Sequence, residues 1–291
     1  MNEIAFYSMF VKIVDTMCSH EPFYFVSTPT LHIERSLTKT PLEIHSEDTV
    51  IYTDTSLMKT HPCRKKIALL LESQELHRHY YDYIRTHHHL FDVVLTFDKT
   101  LLDLGKNFRF NALGTTWLHE SYRNIWPKRQ LCSMILSDKR ITSGHRLRHD
   151  IAEWISVSVD IYGGAYKKLP HTITRAFDAD HTPCHISNQK YRALKEYRFS
   201  IVIENCKEDY YFTEKLIDCF LSGTIPIYYG CPSIGNFFNS QGILSFTTLE
   251  ECFAIVHTIS PRMYEEKLPF VRDNFERAKK YTQFNLEEKY L

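Results

Sequence analysis

The chain is 291 residues long, enough for two modest domains that each bury a core. Its 35 basic and 35 acidic residues cancel, so no overall field gathers nucleic acid or an anionic membrane, and any phosphate must be met by a local cluster. With 43% hydrophobic and 24% charged residues, the composition excludes a disordered chain and favours a small-molecule or glycan partner over nucleic acid.

Residues 1–15 are interrupted by Asn2, Glu3, Lys12 and Asp15 and lack a basic leader, so they do not read as a signal peptide. No apolar run reaches the roughly 18 residues of a membrane span. After weaker apolar runs at 23–26 and 49–52, the stretch 66–72 (KIALLLE) predicts a strand covered on both faces. A helix over 74–86 and a second strand over 91–97 (FDVVLTF) follow. The segment 120–129 (ESYRNIWPKR), with Pro127, reads as an interdomain linker. A second zone then sets a strand at 131–137 and a helix at 145–155 that carries Leu147, Ile151, Trp154 and Ile155 on one face. Next come strands at 157–162, 199–203, 225–229 and 242–246, with a helix at 214–222 that stops at Gly223. Thr248 and Glu251 form a capping box for a helix over 249–259, and 273–281 reads as a last amphipathic helix. Eight cysteines are scattered with no CxxC pair, and Cys132, Cys219 and Cys252 fall in apolar patterns. They read as free thiols of a cytoplasmic protein.

Two zones of strands alternating with helices predict two parallel α/β halves, and such sheets bind ligands beyond the carboxyl ends of their strands. One strand end stands out. The run FSIVI leads into Glu204-Asn205, a loop to Phe212, and Thr213-Glu214-Lys215 at a helix start. Thr213 is placed as N-cap, and a helix start attracts phosphate. Lys215 would add a point charge, and Glu214 could accept bonds from ribose hydroxyls. The plainer reading of Glu204, Glu214 and Lys215 is a solvated turn with ordinary capping.

The whole stretch FSIVIENCKEDYYFTEKLIDCFLSGTIPIYYGCPSIGNF resembles the donor-binding motif of the α1,3-fucosyltransferase family. That resemblance implies the GT-B fold, two Rossmann-like domains with a cleft between them: an acceptor-side domain over 1–125 and a donor domain over 126–291, whose last helix can pack back on the first. It also implies an inverting transfer with no metal or other cofactor. Asn205, Tyr211, Thr213, Glu214 and Lys215 would then bind the nucleotide sugar, Glu214 at the ribose and Lys215 at the diphosphate. The stretch from Ser137 to Gly163 resembles the family too, and there Arg146 matches the diphosphate-binding arginine best, with Arg148 the near alternative. A guanidinium suits that task because it stays charged and can engage two phosphate oxygens. Leu71-Glu72-Ser73 resembles the place of the family's general base. Glu72 closes an apolar strand, where desolvation would make a carboxylate more basic; the plainer reading pairs it with His77 or Arg78. The donor is GDP-fucose by resemblance, with another sugar nucleotide such as a UDP-sugar left open, and the acceptor is a glycan hydroxyl.

Other features compete. Asp178-Ala179-Asp180 is a DxD triplet of the kind that holds a divalent metal in single-domain GT-A transferases, which makes a metal-dependent enzyme the first rival. A non-catalytic nucleotide- or glycan-binding module is the second. His77, His79 and His87–His89 invite a metal reading but lack an accompanying carboxylate or thiol pattern, so solvated histidines are the default. Tyr122, Trp126 and Tyr166 could stack on sugars, with core packing the ordinary alternative. Cys206 has no histidine fixed near it in sequence and does not read as a nucleophile.

Overall fold

The computed structural model describes residues 9–14, 31–35, 42–155, 159–163, 174–175 and 185–283. Two compact units emerge, one of the described residues up to Leu113 together with Gln283, the other Gly114–Thr282. The apolar run at 23–26 lies outside the described residues.

Unit 1 holds six strands: β1 (Met9–Val14), β2 (Leu31–Arg35), β3 (Thr49–Thr53), β4 (Lys65–Leu69), β5 (Val93–Thr96) and β6 (Phe108–Phe110). They pair in parallel in the order β2-β1-β3-β4-β5-β6. Every residue of β3 and β5 is buried, as central strands of a parallel sheet require. Helix α1 (Gln74–His87) buries Tyr81 and Ile84, and its backbone breaks helical geometry at His77. A short α2 (Lys99–Leu102) is capped by Asp98, which accepts the Thr100 N–H at 2.7 Å.

Unit 2 contains β7 (Gln130–Ile135), α3 (Ser143–Trp154), β8 (Asp160–Tyr162), β9 (Thr174–Arg175), α4 (His185–Leu194) and β10 (Tyr197–Ile203). These are followed by α5 (Glu214–Leu221), β11 (Ile225–Tyr229), β12 (Leu244–Ser245), α6 (Leu249–Thr258) and α7 (Pro261–Ala278). All its strands pair in parallel, in the order β12-β11-β10-β7-β8-β9. Read from β9, with β7 as the first strand, this is the doubly wound order 3-2-1-4-5-6, whose direction reverses between β7 and β10. Met134, Phe199, Ile225, Ile227 and Cys252 form the centre of its core. Among the described residues, no helix is long and apolar enough to cross a membrane.

Three sequence readings change. The segment 120–129 is part of unit 2 rather than a linker. Lys128 Nζ donates to the Ser222 carbonyl at 2.7 Å and the Lys195 carbonyl at 3.0 Å, and Tyr122 stacks on Tyr191. The expected helix at 273–281 begins much earlier, at Pro261. Proline is well placed at a first helical position, Ser260 caps the helix by accepting the Met263 N–H, and the internal Pro269 is tolerated because Tyr264, Val271, Asn274 and Ala278 are packed inward. Finally, Trp154 is 71% exposed rather than on the packed face of α3. The buried residues of that helix are Gly144, His145, Arg148, His149, Ile151 and Ala152, so its packed face takes in three charged or polar side chains.

Candidate functional site

The reversal point of unit 2 lies at the carboxyl ends of β7 and β10. Beyond Ile203 the chain stays tied to the sheet through the Glu204 N–H, which donates to the Tyr229 carbonyl at 2.9 Å. The start of α3 closes on the same place: the Gly144 N–H donates to the Asn205 carbonyl at 2.9 Å. A β-carbon on Gly144 would sit 1.9 Å from the Glu204 carbonyl oxygen, so only glycine permits this approach.

Side chains from four segments converge there. Arg148 is buried, and its Nε and Nη2 donate to the Ile203 carbonyl at 3.0 and 2.6 Å, while Nη2 also reaches Asn205 Oδ1 at 3.1 Å. Asn205 Nδ2 in turn donates to the hydroxyl of the fully buried Tyr211 at 3.4 Å. Glu204 has 0% exposure, which overturns the solvated-turn reading. Its carboxylate accepts the Thr213 N–H at 2.9 Å and the Thr213 hydroxyl at 2.7 Å. Thr213 Oγ1 then receives the Lys215 ammonium at 3.0 Å as well as the Lys215 N–H, so one hydroxyl caps α5 and anchors the lysine. Lys215 Nζ lies 3.3 Å from Glu214 Oε1 and 3.7 Å from Glu204 Oε2.

Glu214 is buried, yet a second cation meets it. Lys190 of α4 lies 3.4 Å from Glu214 Oε1 and 2.9 Å from Asp218 Oδ2. Asp218 Oδ1 also accepts the Thr116 hydroxyl at 2.6 Å and the Trp117 N–H at 3.0 Å. Burial pushes the Glu214 carboxyl up, but the ammonium groups of Lys215 and Lys190 outweigh it and hold Glu214 well below the usual carboxylate range. For Glu204 burial wins, and its carboxyl is raised. The result is a shielded anion at a helix start with a partly exposed lysine beside it, the charge pattern of a site for hydroxyls and phosphate.

The two candidate arginines separate. Arg148 turns inward to the strand end. Arg146 lies on the outward face of α3, where its Nη1 donates to the Ile141 carbonyl at 2.9 Å. They are two positions apart, so on a helix they cannot share a face.

His145 joins the site without having been singled out in the sequence. Its Nδ1 accepts the Thr142 N–H at 3.3 Å while its own N–H donates to Thr142 Oγ1 at 3.3 Å, a reciprocal cap of α3. Accepting at Nδ1 requires a neutral ring at that atom. Burial pushes its pKa down to about 4, with Arg148 and Lys215 adding to the effect. A depressed histidine contributes stability that is present above its unfolded value near 6.5 and is lost as pH falls toward 4. Denaturation measured across that window is expected to show roughly 2–3 kcal/mol of loss, and His145→Gln to flatten it. An unchanged slope in the variant would assign the acid sensitivity elsewhere.

In unit 1, Glu72 follows the carboxyl end of β4. Its N–H donates to Asp54 Oδ2 at 3.1 Å and its carbonyl accepts the Tyr81 hydroxyl at 2.8 Å. Of the side chains proposed to pair with Glu72, His77 has its Nδ1 3.4 Å from Asp54 Oδ2 and also feels the Glu72 carboxylate, whereas Arg78 faces Asp82.

The model of glycosyltransferase family 10 (fucosyltransferase), C-terminal part, matches residues 126–260, which contain every one of these unit 2 side chains except Thr116 and Trp117. Residues 126–260, a little under half of the chain, thus match the C-terminal domain of a fucosyltransferase-like glycosyltransferase family. It is similar to an α-(1,3)-fucosyltransferase of Helicobacter pylori, 41% identical over 56 residues that make up 19% of this chain and 12% of that protein. It is also similar to GDP-fucose protein O-fucosyltransferase 3 of Bos taurus, 34% identical over 87 residues, 29% of this chain and 17% of the relative. These matches thus take in under a fifth of each relative's length. Along nearly its full length the chain superposes on a crystal structure of α1,3-fucosyltransferase with GDP, covering 97% of this chain and 91% of that one at a TM-score of 0.56 and 17% identity. At that identity the likeness speaks to the fold: two Rossmann-like units of the GT-B type.

Asp178, Asp180 and Tyr166 lie outside the described residues, and the two-sheet architecture departs from the single-domain GT-A plan that a DxD triplet suggested. Among the described residues no group of three or more His, Cys, Asp or Glu is placed to hold a metal. His87 stacks on Tyr83, and His88 Nδ1 meets Asn107 Oδ1. Tyr122 and Trp126 pack on Tyr191. Cys206 is buried, with Sγ 3.6 Å from Glu208 Oε2. Sequence reading missed Lys190, though Asp218 was a visible signal: a carboxylate inside the apolar run Leu216–Leu221 of α5 demands a buried cation.

Proposed function

We propose that the protein is an inverting glycosyltransferase that moves a sugar from a nucleoside diphosphate donor, GDP-fucose by likeness, to a glycan hydroxyl. The observation that carries this reading is the Thr213-Glu214-Lys215 helix start at the reversal point of the unit 2 sheet, with Glu214 held ionised between two lysines. Glu214 accepts the ribose hydroxyls, Lys215 meets the diphosphate, and Asn205 and Tyr211 shape the floor beside them. Arg148 and Arg146 remain the candidate diphosphate arginines. In a single displacement, Glu72 takes the proton of the acceptor hydroxyl, that oxygen attacks the anomeric carbon, and the bond from this carbon to the diphosphate oxygen breaks. The configuration inverts, and the departing charge is met by Lys215 and the start of α5. Fixed cations supply the neutralisation that a metal gives elsewhere, so transfer is expected to proceed in EDTA.

Thermal denaturation with GDP, UDP and ADP, each with and without EDTA, tests the donor. GDP at about 100 times its Kd should stabilise the protein by roughly 2.7 kcal/mol, equally in EDTA. Stabilisation by UDP alone would reassign the base, and a shift abolished by EDTA would revive metal dependence. Binding without any product from GDP-fucose and a glycan would leave a binding module.

A further inference from the structure

The site contains two lysines on one carboxylate, and only one of them has been given a task. Lys215 is the more exposed, 24% of its side chain reaching solvent, and sits where a diphosphate would draw it away from Glu214. Were it the sole counter-ion, donor binding would strip Glu214 of its partner at the moment the ribose needs an anion. Lys190 is differently placed. Its side chain is 11% exposed, it is anchored to Asp218 at 2.9 Å, and it lies 4.3 Å from the centre of the Trp117 ring. Asp218 is itself fixed by Thr116 and Trp117.

From this geometry we infer that Lys190 is a positioning residue for the donor: it engages Glu214 Oε1 throughout, keeping the carboxylate ionised and oriented toward the ribose while Lys215 turns to the diphosphate. The inference rests on the reading of Glu214 as the ribose acceptor. The two lysines thereby divide one charge problem, the buried one serving the protein's own anion and the exposed one serving the ligand's. Burial alone would lower the Lys190 ammonium, but the Asp218 and Glu214 carboxylates outweigh it and raise it, in keeping with a permanent cation.

The test compares the affinities of GDP and 2′,3′-dideoxy-GDP, which lacks the ribose hydroxyls. The unsubstituted protein should favour GDP by about 10–100-fold, as hydrogen bonds to a charged acceptor do. In Lys190→Met that preference should fall by about tenfold, with dideoxy-GDP binding little changed, and Lys190→Arg should restore it. If the methionine variant does not fold, Lys190→Gln carries the same comparison. An intact preference in the uncharged variant, or an equal loss for both nucleotides, overturns the inference. No preference in the unsubstituted protein would instead remove Glu214 from the ribose, and the inference with it.

Discussion

Replacing Glu72 by glutamine is expected to lower turnover about 10²–10⁴-fold while leaving donor affinity nearly unchanged. The main chain of Glu72 is held on both sides, its N–H by Asp54 and its carbonyl by Tyr81, so glutamine should occupy the same position without disturbing β4 or α1. What it removes, if Glu72 is the proposed general base, is the proton acceptor. A general base acts on the acceptor hydroxyl and makes no demand on the nucleotide, so the kcat term should carry the whole effect. Two measurements decide: single-turnover transfer and GDP binding. An unchanged rate would take Glu72 out of the mechanism, and a matching loss of GDP affinity would make it a donor contact.

The second large effect is structural. Gly144→Ala is expected to destabilise unit 2 by about 3 kcal/mol and to weaken nucleotide binding along with it. The added carbon would stand 1.9 Å from the Glu204 carbonyl oxygen and 2.8 Å from the carbonyl carbon and oxygen of Asn205. All three are backbone atoms at a strand end, so no side chain can swing aside. Either α3 lifts, taking Arg148 away from Ile203 and Asn205, or the loop after β10 shifts, taking Asn205 and Glu204 with it. Gly235 provides the control, because a β-carbon there meets nothing within 4 Å. Gly235→Ala should stay within about 0.5 kcal/mol of the unsubstituted protein. Equal melting curves for the two variants would refute the close-approach argument.

Much of the architecture was legible before any coordinates. The strand at 225–229 matches β11 at both ends, and the apolar core of 199–203 lies within β10, because strands buried on both faces of a parallel sheet must be apolar throughout. Thr213 as the cap of α5 and Thr248 as the cap of α6 were legible for an equally local reason, since the hydroxyl reaches an N–H only two or three residues away. The grouping of Glu204 with Thr213 and Lys215 was legible because their spacing is set within one strand–loop–helix element.

What lay beyond the sequence was everything set by distance along the chain. Which arginine of α3 turns inward depends on the rotation of the helix against β10, and a shift of two positions exchanges Arg148 for Arg146. The Lys190–Asp218 pair joins α4 to α5 across 28 residues, and no local rule links them. The inclusion of 120–129 in unit 2 rests on Lys128 reaching carbonyls at 195 and 222. Local chemistry alone thus determined several of the buried strands, such as β4, β5, β7, β10 and β11, together with the caps of α5 and α6 and the identity of the polar groups at one sheet edge; β1, β2, β6 and β9 were not legible in it. Only the folded chain decided which charges face each other, because a buried ion is tolerated only where packing delivers a partner from another element.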